Sequence, residues 1–200
     1  MRASFASRAG SVIAAVFICV LVLVLPGCST GAGSGSGSTE TSAGVIPHGG
    51  AAVEVRISED ALQNKPEPWA LDTPESAVRS YLEWTGYAYR IARSDVATPT
   101  MTPYEEVRVD SYVQYNIQKS RIIDQTLESI TFGKPSVGTT STLVPAKETW
   151  SYRYVSIETA GKTIGGPYSA SYDSTYTVVK SVDGVWQVDS GVTTPLGAVK

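Results

Sequence analysis

Tyr168-Ser169-Ala170-Ser171-Tyr172-Asp173-Ser174-Thr175-Tyr176-Thr177-Val178-Val179-Lys180, followed by Asp183-Gly184-Val185-Trp186-Gln187-Val188, is the stretch that decides the fold. Tyrosines recur here at even spacing, and a period of two puts Tyr168, Tyr172 and Tyr176 on one side of a strand, with Ala170 and Ser174 between them. Asp183-Gly184 is a strong hairpin signal, because its glycine accepts the positive φ of a tight turn. The reading is therefore a strand over Tyr168–Val182, a turn, and a second strand over Val185–Val192 in which Trp186 begins a similar side.

Working back towards the N-terminus, Thr140–Glu158 is also β-rich, and Trp150, Tyr152 and Tyr154 share one of its sides. Pro145 marks a bulge or an edge there, since proline cannot donate to a ladder. Gly161 and Gly165-Gly166-Pro167 are read as the turn that follows. Ile122–Phe132 is a fourth strand candidate. Before it come two helix starts. Thr73-Pro74-Glu75 combines an N-cap, a first-position proline and an acidic first turn, opening a helix to about Ser94. Thr102-Pro103-Tyr104-Glu105 has the form of a capping box and opens a second helix to about Lys119. The expected fold class is α+β: two helices packed on a curved, four-stranded antiparallel sheet enclosing a cone.

Residues 51–72 are transitional. Val53, Val55 and Ile57 alternate with charged residues and can pair with a sheet edge or stay loose. Residues 28–50 are dominated by Gly, Ser, Thr and Ala, the composition of a flexible tether of roughly 25 Å coil dimension. His48, the sole histidine, is read as a spacer residue in it. Residues 195–200 form a tail.

Residues 1–27 read as an export signal. Arg2 and Arg8 precede an apolar run from Val12 to Leu25 that stops at Pro26. The run is shorter than the roughly 20 residues of a spanning helix and matches the roughly 7–15 of a secretory core. Leu25-Pro26-Gly27-Cys28 resembles the lipobox of bacterial lipoproteins. That resemblance implies acylation of Cys28, cleavage before it, and residence on the extracytoplasmic face of the cell membrane through the lipid anchor. Cys19 would leave with the signal. The chain carries 16 basic against 19 acidic residues, and loses Arg2 and Arg8 on cleavage. An acidic mature chain is a poor match for nucleic acid or an anionic bilayer surface, so attachment would fall to the acyl chains.

The order of elements resembles the nuclear transport factor 2-like fold over roughly residues 73–194. Tyr172–Val179 and Asp183–Val188 look like the last two strands of the intermembrane-space domain of plastid and cyanobacterial division proteins. A similar strand–Asp-Gly–Trp hairpin also occurs in the domain before the transpeptidase unit of some penicillin-binding proteins. The resemblance implies a fold that often serves as a non-catalytic binding or scaffolding module; it does not carry the division role across.

Chemistry is sparse. With one tether histidine and one lipidated cysteine, a zinc site is not expected. No Ser-His or Cys-His dyad can be built, and no cofactor is expected. Glu105 reads as a cap and Glu106 as a solvated residue. Isomerases and cyclases of the same broad fold place acidic residues and Tyr in the cone. Here Asp173 and Asp189 fall opposite the aromatic side by alternation, and Asp124 has no evident partner. The leading expectation is an interaction module with a protein partner in the envelope. The alternative is small-ligand or glycan binding through Trp150, Tyr152, Tyr154, Tyr172, Tyr176 and Trp186. An isomerase- or cyclase-type enzyme comes third.

Overall fold

The computed structural model describes residues 54–197. The segments read as signal and tether, with Cys28 and His48, lie outside the described residues. Three helices come first: α1 over Glu59–Gln63, α2 over Pro74–Ile91 and α3 over Pro103–Gln118, with a 3-10 segment over Ser94–Thr100 between the last two. Then come β1 over Arg121–Phe132, β2 over Ser136–Val137, β3 over Thr142–Ser156, β4 over Thr163–Lys180 and β5 over Trp186–Pro195. All pairings are antiparallel, in the order β1-β3-β4-β5, with the short β2 continuing the row beyond the end of β1. The architecture is an open, curved antiparallel sheet with helices packed on its concave face. Among the described residues, no helix is long and apolar enough to cross a membrane.

α2 begins where local chemistry predicts. The Thr73 hydroxyl accepts from the Ser76 amide, and the Ser76 hydroxyl accepts from the Thr73 amide, both at 3.1 Å. Pro74 occupies the first position, where its missing N–H costs nothing. The helix ends at Ile91 rather than near Ser94, because Ala92 turns left-handed at φ 56°. α2 is buried on more than one side, with Val78, Leu82, Trp84 and Ala88 all in the core. At α3, the Thr102 hydroxyl accepts from the Glu105 amide, but the reciprocal half of the expected capping box is absent. The Glu105 side chain turns inward instead, which corrects its reading as a cap.

Register makes one face of the sheet continuous. Val144 faces Tyr176, Glu148 faces Tyr172, Trp150 faces Ala170 and Tyr152 faces Tyr168 across β3 and β4. Directly opposed residues share a face, so these alternate positions form the concave side. The main core lies between this side and the helices, built from Val78, Leu82, Met101, Val144, Val178 and Val188. A smaller cluster of Ile122, Val155 and Ile157 is covered by Val55 and Ile57. That N-terminal segment forms no strand; a single backbone bond joins Arg56 to Ile157. α1 and β2 are too short to have left a periodic signal.

One sequence reading of a loop is corrected. Gly165-Gly166-Pro167 is not the turn between β3 and β4. It lies inside β4, where the register with Tyr152 and Tyr154 shifts. A side chain on Gly166 would meet the Tyr152 carbonyl at 3.0 Å, so glycine permits the close approach of strands at the bulge. The turn itself runs through Gly161, at φ 74°. Pro145 lies in a central strand, paired with Thr175 of β4 on one side; on the other it sits where β1 gives way to β2, and its carbonyl accepts from the Gly133 N–H. Asp183-Gly184 turns as expected, with Ser181 N–H donating to the Val185 carbonyl at 2.8 Å.

The outer edge of β5 is sealed along its first half. Trp186 N–H donates to the Leu71 carbonyl, and Thr102 N–H to the Val188 carbonyl, both at 2.9 Å. The Gln187 amide reaches the Pro99 carbonyl, and the Thr102 hydroxyl reaches Asp189.

Candidate functional site

Between the sheet and α2–α3 lies a cleft in two adjoining lobes. The outer lobe, of about 460 Å³, is bordered by Tyr152, Tyr154 and Tyr172 from the sheet and by Tyr89 and Tyr112 from the helices, with Glu148 and Trp150 at its floor. The inner lobe, of about 350 Å³, runs from Trp150 and Tyr176 to Tyr81 and Glu105. Both volumes fall in the range of small-ligand pockets.

Each aromatic residue named from the sequence has a definite place. Trp150 and Tyr176 are buried and form the floor; Tyr152, Tyr154 and Tyr172 are half-buried and form the wall. Trp186 stands apart. It sits at the hairpin end of β5 with the Lys180 ammonium over its ring, packed on the main core rather than on the cleft. Tyr168, on the same face, packs against Tyr152 with ring centroids 5.3 Å apart. The helical contribution comes from Tyr89 and Tyr112, whose rings meet at 5.2 Å and 74°.

The polar floor rests on two buried carboxylates. The Tyr176 hydroxyl donates to Glu148 Oε1 at 2.5 Å, and the Trp150 indole N–H donates to Oε2 at 2.7 Å. The Tyr81 hydroxyl donates to Glu105 Oε1 at 2.6 Å, and the Arg108 guanidinium donates to Oε2 at 2.8 Å. Tyr81 and Tyr176 pack edge to face, so the two tyrosine–carboxylate bonds stand back to back. Neither role was drawn from the sequence. For Glu148 the signal was present: period two places it on the side of Trp150, Tyr152 and Tyr154. The three carboxylates weighed earlier lie elsewhere. Asp173 is exposed on the opposite face. Asp189 takes the Thr102 hydroxyl. Asp124 does have partners: Arg90 and Arg153 both reach it at 2.8 Å. Among the described residues, no three His, Cys, Asp or Glu gather closely enough to hold a metal ion.

Burial raises the Tyr81, Tyr89 and Tyr176 phenols well above the ordinary value of about 10. For Tyr176 the next cause is the Glu148 charge, and for Tyr81 the neighbouring Tyr89 and Glu105 add to it. The consequence for stability has a definite sign. The unfolded chain loses these protons from about pH 10 upward, while the folded chain holds them. The contribution is therefore complete below about pH 10 and falls as pH rises further. Chemical denaturation at stepped pH is expected to show this decline, with phenolate absorbance from these three appearing only as the domain unfolds. Their full titration in a domain that stays folded would contradict it.

No protein-family model matches the chain, and no curated protein matches it significantly. Solved structures do. The chain is similar to the intermembrane-space region of the chloroplast protein ARC6, with a TM-score of 0.52 and 18% identity, over 65% of this chain and 99% of that one. A conserved protein from Planctomyces limnophilus gives 0.43 and 17%, over 61% and 97%. A domain of unknown function with a cystatin-like fold, from Nostoc punctiforme, gives 0.38 and 15%, over 62% and 78%. At 18% identity, what this chain has in common with the ARC6 region is its fold: helices laid against an open, curved antiparallel sheet.

Proposed function

We propose that this chain is an exported lipoprotein, acylated on Cys28 and held at the extracytoplasmic face of the cell membrane, whose domain is a non-catalytic binding module. The observation that carries the binding role is the cleft itself, walled by half-buried tyrosines and floored by a carboxylate already held by two donors. A general base needs a free oxygen aimed at substrate. Glu148 instead has both oxygens engaged by Trp150 and Tyr176, which suits a fixed charge better than a proton carrier. The anchor rests on Arg2, Arg8, the apolar run and Leu25-Pro26-Gly27-Cys28. Its test is Cys28→Ser in cells fed a tagged fatty acid. The variant is expected to lose label and either leave the membrane fraction or remain as uncut precursor. Normal maturation with membrane retention would sink the anchor.

A second reading, scaffolding through an envelope protein, is favoured by α3. Tyr104 and Val107, each 66% exposed, and Tyr115 lie along one side of it. A photoreactive residue at Val107 that captures no defined partner in intact envelopes would remove this reading.

A further inference from the structure

We infer that the outer lobe of the cleft takes an organic ammonium ion, its alkylated head among the tyrosine rings and its charge over Glu148. This rests on the cleft being a binding site and names what it binds. The first observation is an uncompensated charge. Glu148 is only 4% exposed, and among the described residues no Lys or Arg pairs with it, whereas the equally buried Glu105 has Arg108. Two neutral donors hold the carboxylate but do not neutralise it. A buried charge without a counterion is costly, and a cation entering the cleft relieves that cost.

The second observation is the wall. Tyr152 and Tyr154 cross at 78° with centroids 5.9 Å apart, and Tyr89 and Tyr112 cross at 74°. Rings set nearly at right angles form a box, not a platform. Ring faces carry partial negative charge and attract cations, and quaternary ammonium heads are recognised by such cages. The cluster already holds one cation: the Arg121 guanidinium lies 3.9 Å from the Tyr154 ring centroid. An anion would meet Glu148 and the ring faces, both repulsive. A sugar would want a flat ring to lie on, and crossed rings deny it one. A hydrated metal ion would find a single carboxylate where it needs several oxygens. The volume leaves room for the head and an organic body.

The test uses the full chain in a maltoside detergent, titrated with choline, tetramethylammonium and 3,3-dimethylbutan-1-ol, the neutral isostere of choline, with calorimetry as the readout. Choline is expected to bind about tenfold more tightly than the isostere. Glu148→Gln is expected to weaken choline by about tenfold and leave the isostere unchanged, with the fold confirmed by circular dichroism. Tyr152→Leu, at a half-exposed position, gives a second variant that keeps the fold and also weakens choline. Equal affinity for the isostere, or unchanged choline affinity in Glu148→Gln, overturns the inference. Reconstitution in phosphatidylcholine or phosphatidylglycerol nanodiscs separates the sources. Weaker choline binding in phosphatidylcholine discs marks a lipid headgroup as the ligand, and equal binding in both marks a free solute. If neutral compounds shift Tyr152 and Tyr172 resonances but ammonium ions do not, the cation falls and the binding role stands. If no compound in a fragment set shifts them, the binding role falls as well.

Discussion

Trp150→Ala is expected to lower the unfolding free energy by about 3–5 kcal/mol, the usual cost of emptying a large aromatic site. Trp150 is 8% exposed and packs in the main core from the centre of β3, so its removal takes away the cleft floor and uncovers the core beneath it. A second loss comes with it. Among the described residues, the indole N–H is one of two side-chain donors on Glu148, and an alanine leaves that buried oxygen without its partner. Against a total stability of about 5–15 kcal/mol, this takes a large share and should lower Tm by about 10–15 °C. Thermal and urea unfolding check it. A drop of only one or two degrees would mean that Trp150 is far less confined than its burial indicates.

Gly191→Ala is expected to cost about 1–3 kcal/mol by overpacking, despite adding a single methyl group. A Cβ at this position would lie 2.9 Å from Tyr176 Cε1 and 3.0 Å from Cδ1. The ring cannot easily move aside. Its hydroxyl is fixed on Glu148, and the ring packs edge to face with Tyr81. If it does move, the Tyr176–Glu148 bond is lost and the buried carboxylate keeps one donor, adding about 1–3 kcal/mol. Denaturant midpoints report the sum, and the Tyr176 hydroxyl proton in NMR reports which route the ring takes. Unchanged stability would show that the strand, not the ring, gives way.

The elements that were legible in the sequence are those governed by neighbours in the chain. Thr73-Pro74 and Thr102-Pro103 start helices because a cap needs only the next three residues. Asp183-Gly184 makes its turn because the positive φ is a local demand. Alternation put Trp150, Tyr152 and Tyr154 on one side, and the register joined them to Tyr168, Tyr172 and Tyr176. What was not legible depends on residues brought from afar. Glu105 has the spacing of a cap, yet Tyr81 draws it inward from another helix. Gly165-Gly166-Pro167 has turn chemistry, yet the pairing with Tyr152 and Tyr154 uses it as a bulge. Glu148 lay on the aromatic side all along. A carboxylate is ordinarily a surface group, and it takes Tyr176, from a different strand, together with Trp150 to give this one a place inside. The helical half of the cleft, Tyr89 and Tyr112, was likewise hidden, because it requires knowing which helix side meets which end of the sheet.

The bonds that seal β5 also bear on the order in which the chain can fold. The Gln187–Pro99 and Thr102–Asp189 pairs join residues 88 and 87 positions apart. The turn before α3 therefore has no docking edge until the last strand exists. Closing loops of that length is slow, and topologies built on such distant pairs fold late and cooperatively. A chain threaded N-terminus first through a narrow pore would leave this side of the sheet open until β5 emerged, and would then close it. Delayed closure of this kind keeps a polypeptide fit for passage in the unfolded state, without any separate device to hold it open.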